Sequence, residues 1–250
     1  MDPASSLLRD VGLAELALFL DVDGTLLDIA PHPDVVRVDP RLLRDLAAAS
    51  HALNGALALM SGRSIKDLDE LFAPLRLAAG GVHGAELRRC PNGSIAWQVP
   101  GQLTEDAWHA LGRLLTDFPG SFAENKGVSF AVHYPVPGTD VPRLRRALAS
   151  LADQVADPGQ ALQIVAGDAV FEIQLQGFDK GRAIACFMAE DPFRARRPVF
   201  IGDDEIDRPG FDKALALGGL AFSVGAELPG VSGTFAGPEA VRAWLHGLSR

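Results

Sequence analysis

A chain of 250 residues, 48% of them hydrophobic and with a formal net charge of −9, can bury a sizeable core as one large domain or two moderate ones. The acidic balance excludes a broad interface with a phosphate backbone, which needs clustered Lys and Arg, so no nucleic-acid partner is expected. One small anionic substrate remains compatible with it, because a single phosphate needs only a locally positive pocket.

The N-terminal stretch MDPASSLLRDVGLAELALFLD lacks a basic segment and a cleavage-like site, and Glu15 and Asp21 break its apolar run. No run approaches the roughly 18 apolar residues of a membrane span, so no membrane partner is expected. Cys90 and Cys186 fit no C-x-x-C pattern and read as reduced thiols. A cytoplasmic monomer is the expectation.

The first predicted strand, 17 to 21, runs into Asp21 and Asp23, which project to one side of an extended chain and repel unless a cation answers them. A helix is predicted from about Arg41, with Asp39 as N-cap and Pro40 in its first turn. Strand 55 to 60 leads through Ser61-Gly62-Arg63-Ser64 into a helix ending near Phe72. This β-loop-α order returns at the end of the chain. There a helix over 180 to 190 precedes strand 198 to 201, the acidic GDDEID, another helix and the strand AFSV. Alternation of this kind predicts a parallel sheet covered by helices on both faces.

The middle reads differently. A helical pattern over 102 to 117 is followed by a hairpin turning at Lys126-Gly127, a helix from 141, and a second hairpin turning at Gly167-Asp168. The Pro-Gly-rich stretches at 135 to 142 and 157 to 159 read as surface loops. The expected fold class is therefore α/β, a Rossmann-like parallel-sheet core over 1–100 and 178–250. A smaller α+β domain is expected as an insertion over 101–177.

Ligand sites of open α/β sheets lie at the carboxyl ends of the strands. Four polar clusters are predicted there: Asp21 with Asp23, Ser61, Asp179-Lys180-Gly181, and Asp203 with Asp204 and Asp207. Alone, each has a plainer reading as a turn carboxylate, a turn serine, a solvated lysine or an acidic loop. Together, carboxylates from two strand ends suit Mg²⁺, with Lys and Ser placed to hold phosphate oxygens. The spacing of Gly80-Gly81-x-x-Gly84 does not fit a dinucleotide fingerprint.

Asp21-Val22-Asp23-Gly24-Thr25, Ser61, Lys180 and Gly202-Asp203-Asp204, in this order, resemble the motifs of the haloacid dehalogenase superfamily. The resemblance implies that the insertion over 101–177 is an α+β cap domain of the C2 type, that Asp21 is a phosphoryl-accepting nucleophile and that Asp23 is a general acid and base. It gives Ser61 and Lys180 the stabilisation of phosphoryl oxygens, and it implies Mg²⁺ held by Asp21, the Asp23 carbonyl and Asp203. Asp204 and Asp207 would support that metal from outside. A non-enzymatic phosphoacceptor domain of the response-regulator kind also combines Asp clusters with a Lys, but is far smaller and has no cap.

Over almost its whole length the chain is further similar to the trehalose-6-phosphate phosphatase family. The matching stretches are FLDVDGTLLDIAPHPDVV, GALALMSGRSIKDLDELF, GVHGAELR, Glu124-x-Lys126 with His133-Tyr134, VFEI and PVFIGDDEID. This implies that Glu124, Lys126 and Glu172 hold a disaccharide and that Gly62 and Arg63 contribute to substrate binding. The chain departs from the family pattern at Pro135, Asp168, Gln174, Leu175, Ile206 and Arg208, which reduces the positive charge directed at the sugar. The expected substrate is the sugar phosphate trehalose 6-phosphate; the alternative is another sugar phosphate hydrolysed by the same core chemistry.

Overall fold

The structure is a computed structural model describing residues 12–29, 37–98, 103–156, 161–167 and 169–248. The readings of the first eleven residues, of 30–36, of the loop at 157–159 and of Asp168 lie outside the described residues. The chain divides into two compact units, Met1–Gln98 with Asp179–Arg250, and Val99–Phe178.

The larger unit is built on an eight-stranded sheet. In chain order its strands are β1 (Leu16–Asp21), β2 (Leu57–Met60), β3 (Ala78–Gly81), β4 (Glu86–Arg88), β5 (Ala96–Trp97), β10 (Arg197–Gly202), β11 (Leu220–Val224) and β12 (Gly233–Phe235). Across the sheet the order is β12-β11-β10-β1-β2-β3-β4-β5, parallel from β12 to β3 and antiparallel at β4 and β5. Every residue of β1 is buried, as a central strand covered on both faces requires. Its register, Leu20 beside both Leu59 and Ile201, brings the ends of β1, β2 and β10 to one edge.

Helices α1 (Pro40–Ala52), α2 (Ile65–Leu71), α5 (Lys180–Met188), α6 (Arg208–Ala216) and α7 (Pro238–Leu248) belong to this unit. Asp39 caps α1 by accepting from the Arg41 amide at 2.7 Å, with Pro40 at the first helical position, where no amide is missed. Ser64 and Asp179 cap α2 and α5 in the same manner. Phe19 packs on Phe187 and Phe193, and Phe200 on Phe211, tying the central strands to their helices. Each such side chain contributes about 1.5–3 kcal/mol of burial.

Strands β3 to β5 and β12 and helix α7 are additions to the sequence reading. The Ala-Ala-Gly-Gly of β3 carries no β-branched or aromatic residue. It is nonetheless a paired interior strand, because small residues are needed there: a Cβ at Gly80 would lie 2.9 Å from the Met60 methyl.

The smaller unit holds an antiparallel sheet of β6 (Phe122–Asn125), β7 (Ser129–His133), β8 (Leu162–Gly167) and β9 (Val170–Leu175), in the order β6-β7-β9-β8. Helices α3 (Glu105–Leu115) and α4 (Val141–Val155) bury Leu111, Leu144 and Leu148 with Phe130, Val132, Phe171 and Ile173 of the strands. The β6–β7 turn uses Gly127 at φ +80°, a left-handed conformation that glycine adopts without strain. The Asn125 side chain accepts from the Gly127 amide at 2.8 Å.

Candidate active site

Asp21 ends β1 almost fully buried, and the chain then turns through Val22–Leu27, with the Leu26 and Leu27 amides both donating to the Val22 carbonyl. Gly24 sits at φ +85°, and a Cβ there would overlap the Asp203 carboxylate. The glycine therefore admits Asp203 to the turn, and the buried Thr25 hydroxyl donates to Asp203 Oδ1 at 3.3 Å. The sequence reading includes Thr25 in the Asp21–Thr25 motif but gives it no role of its own.

Lys180 opens α5, where an ammonium opposes the positive end of the helix dipole. Two carboxylates compensate. Its Nζ donates to Asp21 Oδ1 at 2.5 Å and also contacts Asp207 Oδ1, all three residues being buried. Burial works against the Lys180 charge, but attraction to Asp207 and Asp21 outweighs it and holds the ammonium above its ordinary range. The other Asp207 oxygen accepts from the Asp203 amide at 2.9 Å and faces the Asp204 amide at 3.4 Å. Gly202 leaves room for it, since a Cβ there would overlap that carboxylate. Asp207 is thus placed deeper than the sequence suggests, inside the carboxylate cluster. Asp204 directs a carboxylate oxygen to the Glu205 amide at 2.6 Å and caps a short 3₁₀ turn over Glu205–Asp207.

Asp21, Asp203 and Asp207 each offer an oxygen within 4.8 Å of the others. Burial pushes the Asp21 carboxyl well up, and repulsion from Asp207 and Asp203 adds to this against the pull of Lys180. Asp203 is pushed up to about 6 by burial and by Asp207. Asp21 Oδ2 is buried with no hydrogen-bond partner. Three carboxylates facing one ammonium leave an excess of negative charge, and the donor set is all oxygen. These residues fit a hard divalent cation such as Mg²⁺ better than a softer metal.

Ser61 follows β2 and is buried; its Oγ accepts from the Arg63 amide at 3.1 Å, so its own proton is free to be donated elsewhere. Gly62 lies between them. The Arg63 guanidinium forks onto both oxygens of Asp23, at 2.7 Å each. That pair could not be read from the sequence, because its members are forty positions apart.

Glu124, Lys126 and Glu172 form a second group within the smaller unit. Glu124 lies opposite Ala131, and Ala131 opposite Glu172, so both carboxylates share one sheet face. Lys126 Nζ donates to Glu172 Oε1 at 2.7 Å, and His133 Nε2 lies 3.6 Å from Glu124 Oε2. Gln174, two residues beyond Glu172, is on that face too, opposite Ser129.

Comparisons with known proteins agree in kind. The family model described as trehalose-phosphatase matches residues 19–229. A trehalose-6-phosphate phosphatase of Escherichia coli (strain K12) is 39% identical over 233 residues, covering 93% of this chain and 86% of its own length. Among solved structures, a trehalose-6-phosphate phosphatase related protein superposes with a TM-score of 0.77 at 25% identity, over 94% of this chain and 96% of the other. The C-terminal domain of a C. albicans trehalose-6-phosphate phosphatase, at 18% identity, shares the fold with a TM-score of 0.79 over 96% of each chain.

Proposed function

The chain belongs to the trehalose-phosphatase family, and on that premise we propose that it hydrolyses trehalose 6-phosphate to trehalose and phosphate through a phosphoryl group carried on Asp21. The observation that carries the reading is Asp21 itself: one oxygen anchored by Lys180, the other buried without a partner. An anchored carboxylate cannot swing away, so its second oxygen is held ready for phosphorus.

In the first step Asp21 Oδ2 bonds to phosphorus while the bond from phosphorus to the sugar oxygen breaks. Asp23 gives that oxygen its proton. Because Arg63 holds both Asp23 oxygens, the pair opens at one of them, and it is that released oxygen that carries the proton to the leaving group. In the second step Asp23 takes a proton from water, whose oxygen displaces Asp21 from phosphorus. Lys180 and the Ser61 hydroxyl stabilise charge on the phosphoryl oxygens in both steps. Mg²⁺ bound by Asp21, Asp203 and the Asp23 carbonyl would supply positive charge that lets a carboxylate approach a phosphate dianion. Asp207 keeps Lys180 and the Asp203 backbone in place.

The sugar is assigned to Glu124, Lys126 and Glu172, whose charged groups have the fixed geometry that hydroxyl recognition needs. The neutral Gln174 on the same face favours a second reading, a different sugar phosphate processed by the same chemistry. Phosphate release from trehalose 6-phosphate, sucrose 6-phosphate, glucose 6-phosphate and p-nitrophenyl phosphate separates the two. The highest kcat/KM on trehalose 6-phosphate supports the first reading; a monosaccharide phosphate outrunning it overturns the sugar, and release from none overturns the phosphatase.

A further inference from the structure

The hairpin of β3 and β4 takes no part in the steps above, yet it is wrapped around the loop that carries Ser61 and Arg63. Its turn is unusual. Val82 and His83 adopt φ of +46° and +53° ahead of Gly84 at φ +103°. Left-handed backbone is rare for a β-branched residue and persists only where the surroundings impose it.

The surroundings here are the catalytic loop. The Val82 amide donates to the Arg63 carbonyl at 2.9 Å, the His83 amide to the Ser61 carbonyl at 2.8 Å, and the Ser61 amide to the Gly80 carbonyl at 2.9 Å. The His83 imidazole lies against Gly62 so closely that a Cβ there would be 2.6 Å from Nε2. From β4, the buried Glu86 carboxylate accepts from the Ile65 amide at 2.7 Å, where the loop becomes α2. Two residues on, Arg88 pairs with Asp69 of the same helix. The other side of the turn meets α5: a Cβ at Gly84 would lie 2.6 Å from the Asp179 carbonyl, the residue before Lys180.

We propose that Glu86 and the left-handed Val82–His83 turn are positioning residues of the phosphatase. They fix Ser61 and Arg63 through the backbone and set them against the helix that begins at Lys180. This rests on the phosphatase reading above, but not on the identity of the sugar. The strain in the turn is the signature: a β-branched residue is kept left-handed because its amide must reach Arg63. Glu86 acts through the Ile65 amide, so an uncharged acceptor of the same length serves as well.

The test uses the full chain with Glu86→Ala, Glu86→Gln and His83→Asn. It measures kcat and KM on trehalose 6-phosphate and on p-nitrophenyl phosphate, inhibition by orthovanadate, and melting. Glu86→Ala is expected to lower kcat about 10–100-fold on both substrates, the scale of an ångström-sized misplacement. Its KM stays within about threefold, and vanadate, a mimic of the phosphoryl transition state, weakens alongside kcat. Glu86→Gln, which keeps the acceptor, restores kcat to within about threefold of wild type. Should Glu86→Ala not fold, His83→Asn carries the test. Asparagine tolerates the left-handed backbone but takes the ring off Gly62, so kcat falls about 3–10-fold with little change in melting. A folded Glu86→Ala with wild-type kcat overturns the proposal. So does a loss confined to the sugar phosphate, or a Glu86→Gln as impaired as Glu86→Ala. If the wild type hydrolyses neither substrate, it is the phosphatase reading that has failed.

Discussion

Arg88 offers a quantitative test of what holds strand β4 to helix α2. Arg88 is only 1% exposed, and its guanidinium donates to both Asp69 oxygens at 2.6 and 2.7 Å and makes two further bonds to the Leu77 carbonyl at 3.1 and 2.8 Å. Replacing it with Met roughly keeps the volume and removes every donor. Breaking a buried ion pair from one side costs about 3–5 kcal/mol. Asp69 is partly exposed and retains Arg76 at 2.9 Å, which places the loss at the lower end, about 3 kcal/mol. For a chain of this length that corresponds to a fall in melting temperature of about 6–12 °C, read by circular dichroism at neutral pH. The acid dependence has a definite sign. Burial raises the Asp69 carboxyl, but hydrogen bonds from Arg88 and Arg76 outweigh it and hold the group below 3.8. Its contribution is present above the ordinary carboxylate range and is lost as the pH falls through the depressed value. The gap between wild type and Arg88→Met therefore narrows only in strong acid. A variant melting within about 1 °C of wild type at neutral pH, or a gap that closes already near pH 6, would refute the reasoning.

Three predictions concern the proposed reaction. Asp21→Asn keeps the shape of the nucleophile without its charge, and turnover falls to background while far-ultraviolet circular dichroism is unchanged; retention of more than a few per cent of activity contradicts the assignment. Exhaustive chelation abolishes phosphate release and added Mg²⁺ restores it more fully than Zn²⁺, given a cluster of carboxylate oxygens; full activity after chelation is the contrary result. Lys126→Ala, which strips Glu172 of its 2.7 Å partner, lowers kcat/KM for trehalose 6-phosphate at least tenfold and leaves p-nitrophenyl phosphate nearly unaffected; an equal loss on both substrates removes the sugar role.

The sequence revealed most where chemistry is local. Asp21, Asp23 and Gly24 are consecutive or nearly so, and Asp39 announces its helix by standing before a proline. The two hairpins around Lys126-Gly127 and Gly167 were legible from their turn residues. What escaped was decided by distant partners or by packing. Glu86 is an ordinary strand residue until the Ile65 amide, twenty-one positions away, is placed against it. Strand β3 ends in two glycines because Met60 occupies the space a Cβ at Gly80 would need, and Glu86 and Ile65 the space at Gly81. Asp207 read as a carboxylate supporting the metal from outside, whereas the one turn of 3₁₀ helix that it closes carries its carboxylate back to Lys180.

Lys180 and Asp21 are separated by 159 positions in the chain, and β1 receives one of its two parallel neighbours only when β10 has been made. During synthesis the N-terminal strands therefore emerge well before the ammonium that neutralises their buried carboxylate. A nascent chain that stops short of Arg197 displays β1, apolar along nearly its whole length, with one edge open to any strand it meets. The Val99–Phe178 unit has its own apolar cluster and can condense in the interval. The proposed nucleophile would thus be assembled late, by a long-range closure expected to be slow. Until that closure, the open edge of β1 is where incomplete chains would pair with one another.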